Sequence, residues 1–450
     1  MAHLRNRIDH FAKTSPARLA LTTFALIIST ATALLSLPAA TQTGHRAPFV
    51  DALFNATSAV CVTGLVTVDT ATYWSVFGQV VLLFSMKIGG LGVMTLASLL
   101  ALAVSRHIGL TQRMLAATET KTASLGAVGS LIKAVIIVSS TCELLIFLVL
   151  LPRFITLNDN IIMATWHALF MAFSIFNNAG FVVLPEGMEA HAGDWWFVTP
   201  VIVGTALGAI GFPVSLNLWR HWHEGARITL HTKLTLTTYG GLFLLAAVLI
   251  LSSEFNNPRT FAELPWDEKI QAAMLFGVNS RSSGLSTIDV GQMTRGSWYL
   301  IDLLMFIGGG SASTAGGIKV TTLAVLVMAV IAETRGDRDI EAFDRRIPAS
   351  TVRLAVAVTG IGALFVGTSI FFLLNVTEYS LDVIGFEVIS AFGTVGLSTG
   401  ITPDLPSIAK YVLTALMFAG RTGTMTVAAA LALRERKRVI RMPEERPAIG

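Results

Sequence analysis

DALFNATSAVCVTGL (residues 51–65), HALFMAFSIFNNAGF (167–181), AAMLFGVNSRSSGL (272–285) and FEVISAFGTVGL (386–397) are four versions of one pattern. Each is a helical apolar stretch of about ten residues, too short to cross a bilayer, that ends in polar residues and a glycine. Aligned on the glycines they read Val62-Thr63-Gly64-Leu65, Asn178-Ala179-Gly180-Phe181, Ser282-Ser283-Gly284-Leu285 and Thr394-Val395-Gly396-Leu397. The glycines recur at about a quarter of the chain length, and a fixed period of that kind marks copies of one structural unit.

The residues between these stretches are more apolar still. Runs long enough to span a membrane lie at 19–40, 73–104, 130–152, 195–219, 232–252, 297–332, 352–374 and 408–433, so a span flanks each short pattern on either side. Over all 450 residues 53% are hydrophobic and 13% charged, about half the charge of a soluble domain. The expected fold is therefore an all-α membrane protein of four pseudosymmetric units. Each unit is span, re-entrant pore helix with loop, and span, giving eight spans around a central pore. Its divisions are a cytoplasmic N-terminus (1–18), units at 19–107, 108–225, 226–347 and 348–434, and a C-terminal tail (435–450).

Charge sets the orientation. Of the 32 lysines and arginines, 22 fall in the N-terminus, 105–133, 220–233, 335–353 and 434–446. Basic loops stay in the cytoplasm, which places both termini inside and the four short patterns outside. The basic start leads into the first run without a small-residue cleavage site and reads as mature sequence. Cys61 and Cys142 are too few and too apolar in setting for a disulfide framework.

Loops at membrane depth persist only where protein buries them or water reaches them. Four of them around one axis can offer backbone carbonyls in place of an ion's hydration shell, and glycine lets the chain turn carbonyls inward at positive φ. The short helices point their partially negative ends at the same place, which favours a cation. The candidate potassium filter is Val62, Thr63, Gly64, Asn178, Ala179, Gly180, Ser282, Ser283, Gly284, Thr394, Val395 and Gly396. Its four loops differ in sequence, so selectivity is expected to be real but less strict than in a ring of identical chains.

The second spans repeat as well, through Gly89-Gly90-Leu91-Gly92, Gly208-Ala209-Ile210-Gly211 and Gly420-Arg421-Thr422-Gly423. Close helix packing and a place in the pathway are both open for these small residues. The third unit is the odd member, with the longer run IGGGSASTAGGIK (307–319). Its glycines break a span in mid-membrane. Residues 308–317 (Gly308, Gly309, Gly310, Ser311, Ala312, Ser313, Thr314, Ala315, Gly316, Gly317) and Arg421 form the candidate gate, the arginine acting as an electrostatic barrier to cations. Of the other cations at depth, Lys319 is expected at the cytoplasmic mouth. Lys87 either pairs with a carboxylate on another span or faces the pore. Arg281 is expected to point away behind the filter, because a cation there would repel the ion.

Other classes fit poorly. A membrane enzyme needs His, Asp, Glu or Cys clustered on facing spans, whereas the spans hold mainly Glu143 and Asp302. The HWH stretch (221–223) reads as interfacial anchoring in a cytoplasmic connection. No Gly-rich loop of nucleotide-hydrolysing type is present. No cofactor and no nucleic-acid partner is expected, and no metal ion beyond the transported cation. Coupled symport with sodium or protons stays open.

The motifs TSAVCVTGL (57–65), FNNAGF (176–181), GGGSASTAGGIK (308–319), AFGTVGLSTG (391–400) and FAGRTGTMT (418–426) resemble those of the Trk/Ktr/HKT superfamily of potassium transporters, over nearly the whole chain. The start, with no extra spans before the first unit, and the ending RMPEERPAIG (441–450) are most similar to Ktr membrane subunits of the KtrB type. That resemblance implies a homodimer in the cell's plasma membrane, each protomer with its own pore. It implies filter glycines at Gly64, Gly180, Gly284 and Gly396, with the 308–317 loop and Arg421 blocking the pore below. It also implies a cytosolic ring of nucleotide-binding, KtrA-like regulatory subunits, and a C-terminal tail packed into the dimer interface where composition alone suggests a solvated one. The third loop, with Ser282-Ser283 before its glycine, departs from the usual pattern.

Overall fold

The computed structural model describes residues 16–105 and 126–423. Its longer helices are α1 (Pro16–Leu35), α2 (Phe49–Cys61), α3 (Val76–Ser105), α4 (Gly126–Leu157), α5 (Ile161–Asn177), α6 (Trp195–Ile210), α7 (Phe212–Glu224), α8 (Leu230–Glu254), α9 (Trp266–Asn279), α10 (Arg295–Phe306), α11 (Val320–Arg335), α12 (Ala349–Val376), α13 (Leu381–Gly393) and α14 (Ser407–Phe418). The order long helix, short helix, loop, helix recurs four times, with α2, α5, α9 and α13 as the short members. By length and composition, Lys133–Leu157 within α4, α8 and α12 can each cross a membrane alone, and α6 with α7 forms a bent pair that qualifies together.

Local chemistry sets where these helices begin. Asn160, Asp194, Thr229 and Thr294 accept hydrogen bonds from the free N–H groups of the first turns of α5, α6, α8 and α10. Acids occupy the first turns of α2 (Asp51), α9 (Asp267, Glu268) and α13 (Asp382), where they complement the positive end of the dipole. The opposite ends of these short helices run into the glycine loops.

The packing between units is cyclic. The helix after each loop lies against the short helix of the next unit: α3 on α5, α6 on α9, α10 on α13, and α14 back on α2. The largest buried apolar cluster accordingly joins the two ends of the chain, with Phe54, Val60 and Leu82 beside Val388, Phe392 and Leu413.

Several expectations need correction. The short helices are longer than ten residues, at 13, 17, 14 and 13; α5 reaches back to the Asn160 cap. The run 195–219 is broken by 96° between α6 and α7, because Gly211 takes φ 97° and ψ 147°, a region essentially closed to side-chain-bearing residues. The HWH residues therefore lie on helix α7, where Trp222 is exposed. The fold is also not purely helical: after α11, Ile340–Ala342 and Arg345–Ile347 pair as a small antiparallel hairpin, β1 and β2, with Phe343 and Asp344 at positive φ in its turn. The end of the last apolar run and the tail (424–450) lie outside the described residues, as do 1–15 and 106–125.

Candidate ion pathway

Three of the four loops leave their helices in one way. Val62, Asn178 and Thr394 cap α2, α5 and α13 in the left-handed conformation. The amide of the following residue bonds back to a serine carbonyl: Thr63 to Ser58 at 2.8 Å, Ala179 to Ser174 at 2.8 Å and Val395 to Ser390 at 3.0 Å. This is the double-bonded helix ending that satisfies the last carbonyls. The Ser58 and Ser390 hydroxyls then accept the N–H of Gly64 and Gly396 at 3.0 and 3.1 Å. These serines stand six residues before the glycine in the first, second and fourth units, a sequence regularity that the glycine alignment passed over.

The third loop differs as its sequence suggested. Val278 replaces the serine, α9 is capped by Ser280 in an ordinary helical conformation, and the left-handed residues are the consecutive Ser283 (φ 87°) and Gly284 (φ 60°). Ser282 stays in the turn, its N–H bonded to the Asn279 carbonyl.

All four loops meet. A Cβ built on Gly64 would lie 2.9 Å from the Ala179 carbonyl oxygen and 3.0 Å from Gly180 Cα. On Gly180 it would overlap the Ser283 carbonyl oxygen; on Gly284 it would lie 2.6 Å from the Val395 oxygen; on Gly396 it would overlap the Thr63 oxygen. Each glycine thus abuts the carbonyl preceding the glycine of a neighbouring loop, and the series closes on itself after four members. Positive φ and the absence of room for any side chain both require glycine here.

The Gly-x-x-Gly patterns serve packing. Gly89, Gly208 and Gly420 each place their Cα where a Cβ would overlap a carbonyl near the end of their own unit's short helix, those of Val60, Phe176 and Phe392. The second helix of the unit is thereby drawn tight beneath the loop. In the second unit the same pattern also ends α6 at Gly211.

Residues 307–319 fill the space on the helix-cap side of the ring. Their ends are zipped together, Gly308 N–H donating to the Ile318 carbonyl at 2.7 Å and Val320 N–H to Gly309 at 3.1 Å. One side bonds to the broken span: Gly310 N–H to the Ala209 carbonyl at 2.8 Å, Thr314 N–H to Gly208 at 3.2 Å, and Phe212 N–H to the Ala312 carbonyl at 3.3 Å. Ser311 pairs with Thr321 at 3.0 Å, and Ser313 accepts Ala315 N–H at 3.2 Å. Above, the Thr314 hydroxyl lies 2.7 Å from the Asn178 side-chain amide, and Gly316 and Gly317 press against Thr394 and Gly393. With its amide oxygen toward Thr314 and the Ala209 N–H, Asn178 satisfies both ends of the side chain.

The cations sort clearly. Arg421, fully buried in the π-helical turn Ala419–Gly423, donates from its guanidinium to the Thr314 carbonyl, so it holds the middle of the 308–317 loop. Lys319 stays with the run that it follows. It folds back onto the Ala315 and Gly316 carbonyls at 2.6 and 3.2 Å, satisfying acceptors that the broken helix leaves free. Arg281 turns behind the ring, donating to the Tyr239 and Gly277 carbonyls at 2.9 and 2.8 Å and stacking on the Tyr239 ring. Lys87 pairs with Glu143 on α4 at 2.6 Å.

Glu387 was in plain view within the fourth stretch yet carried no role. It is fully buried and accepts from the Ser398 and Thr402 hydroxyls and the Thr399 N–H at 2.6, 2.8 and 2.8 Å, pinning the chain just beyond Gly396. Asn55 holds the same position relative to Gly64 and bonds to Thr67 at 2.8 Å. A polar residue nine before the loop glycine, inside an apolar helix, was the available signal.

Taken with the family match, these features define a multi-pass membrane transport protein and not an enzyme. The chain matches the family described as TrkH, cation transport protein, over residues 8–440, and it belongs to that family. It is 36% identical to "Ktr system potassium uptake protein B" of Bacillus subtilis, covering 98% of both chains, and 35% identical to "Ktr system potassium uptake protein D" of the same organism, covering 97% of both. The fold matches the crystal structure of the potassium transporter TrkH from Vibrio parahaemolyticus with a TM-score of 0.72 at 17% identity, over 93% of this chain and 84% of the other.

Proposed function

We propose that this chain is the potassium-translocating membrane subunit of an uptake system. Its eight spans, in units at 19–107, 108–225, 226–347 and 348–434, surround one central pore. The observation that carries the reading is the closed ring in which each loop glycine abuts a neighbouring loop's carbonyl. In this reading the carbonyls of Thr63, Ala179, Ser283 and Val395, one from each loop, substitute for water around a dehydrated cation. The third loop leaves its helix differently from the other three, which supports a selectivity less strict than that of four identical loops. Beneath the ring, 308–317 and Arg421 act as the gate. A guanidinium in the path of a cation opposes conduction, and the many backbone bonds between the loop and α6 hold it in place.

By likeness to the Ktr proteins, the subunit works as a homodimer in the plasma membrane with both termini inside. Its partner by the same likeness is a cytosolic ring of nucleotide-binding, KtrA-like subunits. The test is the reversal potential of purified protein in proteoliposomes, varying potassium, sodium and pH one at a time. The potential is expected to follow the potassium gradient, and a potential indifferent to potassium overturns the proposal. Coupled symport is the second reading, favoured by a fully buried carboxylate beside the ring, Glu387. Potassium uptake driven against its own electrochemical gradient by an imposed sodium or pH gradient selects it.

A further inference from the structure

The ion pair of Lys87 and Glu143 lies between two spans of different units, and the function described so far makes no use of it. Lys87 stands 11 residues into α3, about 16 Å from the helix start at 1.5 Å per residue, too deep to be an interfacial lysine. Its ammonium lies 2.6 Å from Glu143 Oε2 and 2.5 Å from the Ser139 hydroxyl, both on α4, and over the Phe173 ring of α5. The Glu143 side chain is 3% exposed.

The other carboxylate oxygen, Oε1, accepts from Asn177 Nδ2 at 2.8 Å. Asn177 is the last residue of α5, fully buried, and is followed directly by the cap Asn178 and the ring members Ala179 and Gly180. The same stretch of α3 touches the loops on both sides: Gly89 leaves room for the Val60 carbonyl of α2, and Gly90 for the Asn177 side chain. A span of the first unit is thus locked through one carboxylate to the root of the second loop.

We infer that Glu143, its charge balanced by Lys87, is a positioning residue for the second filter loop, holding Asn177 so that the Ala179 carbonyl keeps its place against Gly64. This rests on the four-loop filter reading. Stability alone does not account for the pair, because buried ion pairs are commonly replaced by apolar side chains of similar volume at no loss. The charges also need each other. A lone carboxylate beside the C-terminal end of α5 meets the negative end of the helix dipole, and Lys87 offsets both.

The test uses two double variants of the full chain, Lys87→Met/Glu143→Leu and Lys87→Met/Glu143→Gln, assayed for potassium over sodium permeability ratio in proteoliposomes after size exclusion and a thermal melt. Both remove the ion pair, but only the glutamine keeps an oxygen for Asn177. The leucine variant is expected to lose about tenfold of the ratio, the equivalent of one hydrogen bond to a charged group. The glutamine variant is expected to stay within about twofold, the context spread of one neutral hydrogen bond. Arg153→Gln, which breaks the Arg153–Asp194 pair at the far end of α4, is the stability control and is expected to lower the melt without moving the ratio. If the leucine variant fails to fold, Asn177→Ala carries the same expectation from the other side of the bond. A folded leucine or Asn177→Ala variant with the wild-type ratio overturns the inference, as does a glutamine variant as unselective as the leucine one. A wild-type ratio near one instead overturns the filter reading beneath it.

Discussion

Gly180→Ala tests the ring most directly, because its two costs can be separated. Gly180 has φ 73°, and an added Cβ would lie 3.0 Å from Gly64 Cα and 3.3 Å from the Ser283 carbonyl carbon, with the oxygen closer still. Left-handed backbone costs an alanine about 1–2 kcal/mol. Ordinary Cβ contacts begin at 3.4 Å, so the Gly64 loop must retreat by about 0.4 Å and the Ser283 carbonyl by about 1 Å, and overpacking of this kind costs about 1–3 kcal/mol. Every atom met is backbone, so no side chain can swing aside. The sum, about 2–5 kcal/mol, is smaller than the stability of most folded proteins, and the variant is expected to fold. If these carbonyls replace hydration water as proposed, a shift of that size acts directly on ion preference, and about 1.4 kcal/mol of lost discrimination is tenfold. The potassium over sodium ratio from bi-ionic reversal potentials is therefore expected to fall about tenfold, with a melt lowered by several degrees. Gly44→Ala supplies the control: φ is 70° and nothing lies within 4 Å of its Cβ, so it bears the backbone cost alone and keeps the ratio. If folded Gly180→Ala retains the ratio of Gly44→Ala, the four loops do not select the ion.

Arg421→Ala removes both the barrier charge and the tether to Thr314; potassium flux without the cytosolic partner is expected to rise about tenfold with ion preference intact, and unchanged flux in folded protein assigns the run to packing. Gly211→Ala places a Cβ 2.6 Å from the Ser311 carbonyl oxygen at a backbone geometry costing about 1–3 kcal/mol. It is expected to push the 308–317 loop from α6 and raise the same partner-free flux, which liposome uptake of rubidium reads out. Deleting 441–450 is expected to move detergent-solubilised protein from dimer toward monomer in light scattering, and an unchanged dimer removes the tail from the interface.

The repeat, the apolar runs and the loop glycines were legible because they are periodic. Polar residues ending an apolar helix and a glycine at a fixed offset record a local demand, positive φ at a helix terminus, that each unit meets by itself. That Arg281 finds carbonyl acceptors was legible for the same kind of reason, since a guanidinium at membrane depth must be paired. What no single segment contains is which partners meet. The cyclic order in which Gly64 abuts Ala179, Gly180 abuts Ser283, Gly284 abuts Val395 and Gly396 abuts Thr63 arises only once α14 returns to α2. The break at Gly211 was read as part of a continuous apolar run. Its glycines also fit an unbroken helix, and only the backbone groups of residues 310–314 arriving from another unit make the bend favourable. The partners of Lys319 were not legible because its acceptors, two carbonyls freed by an irregular loop, exist only in the folded loop. Composition and period thus determined the units and their polar ends, while hydrogen bonds between distant segments decided how those ends face one another, because backbone donors and acceptors carry no sequence signature of their own.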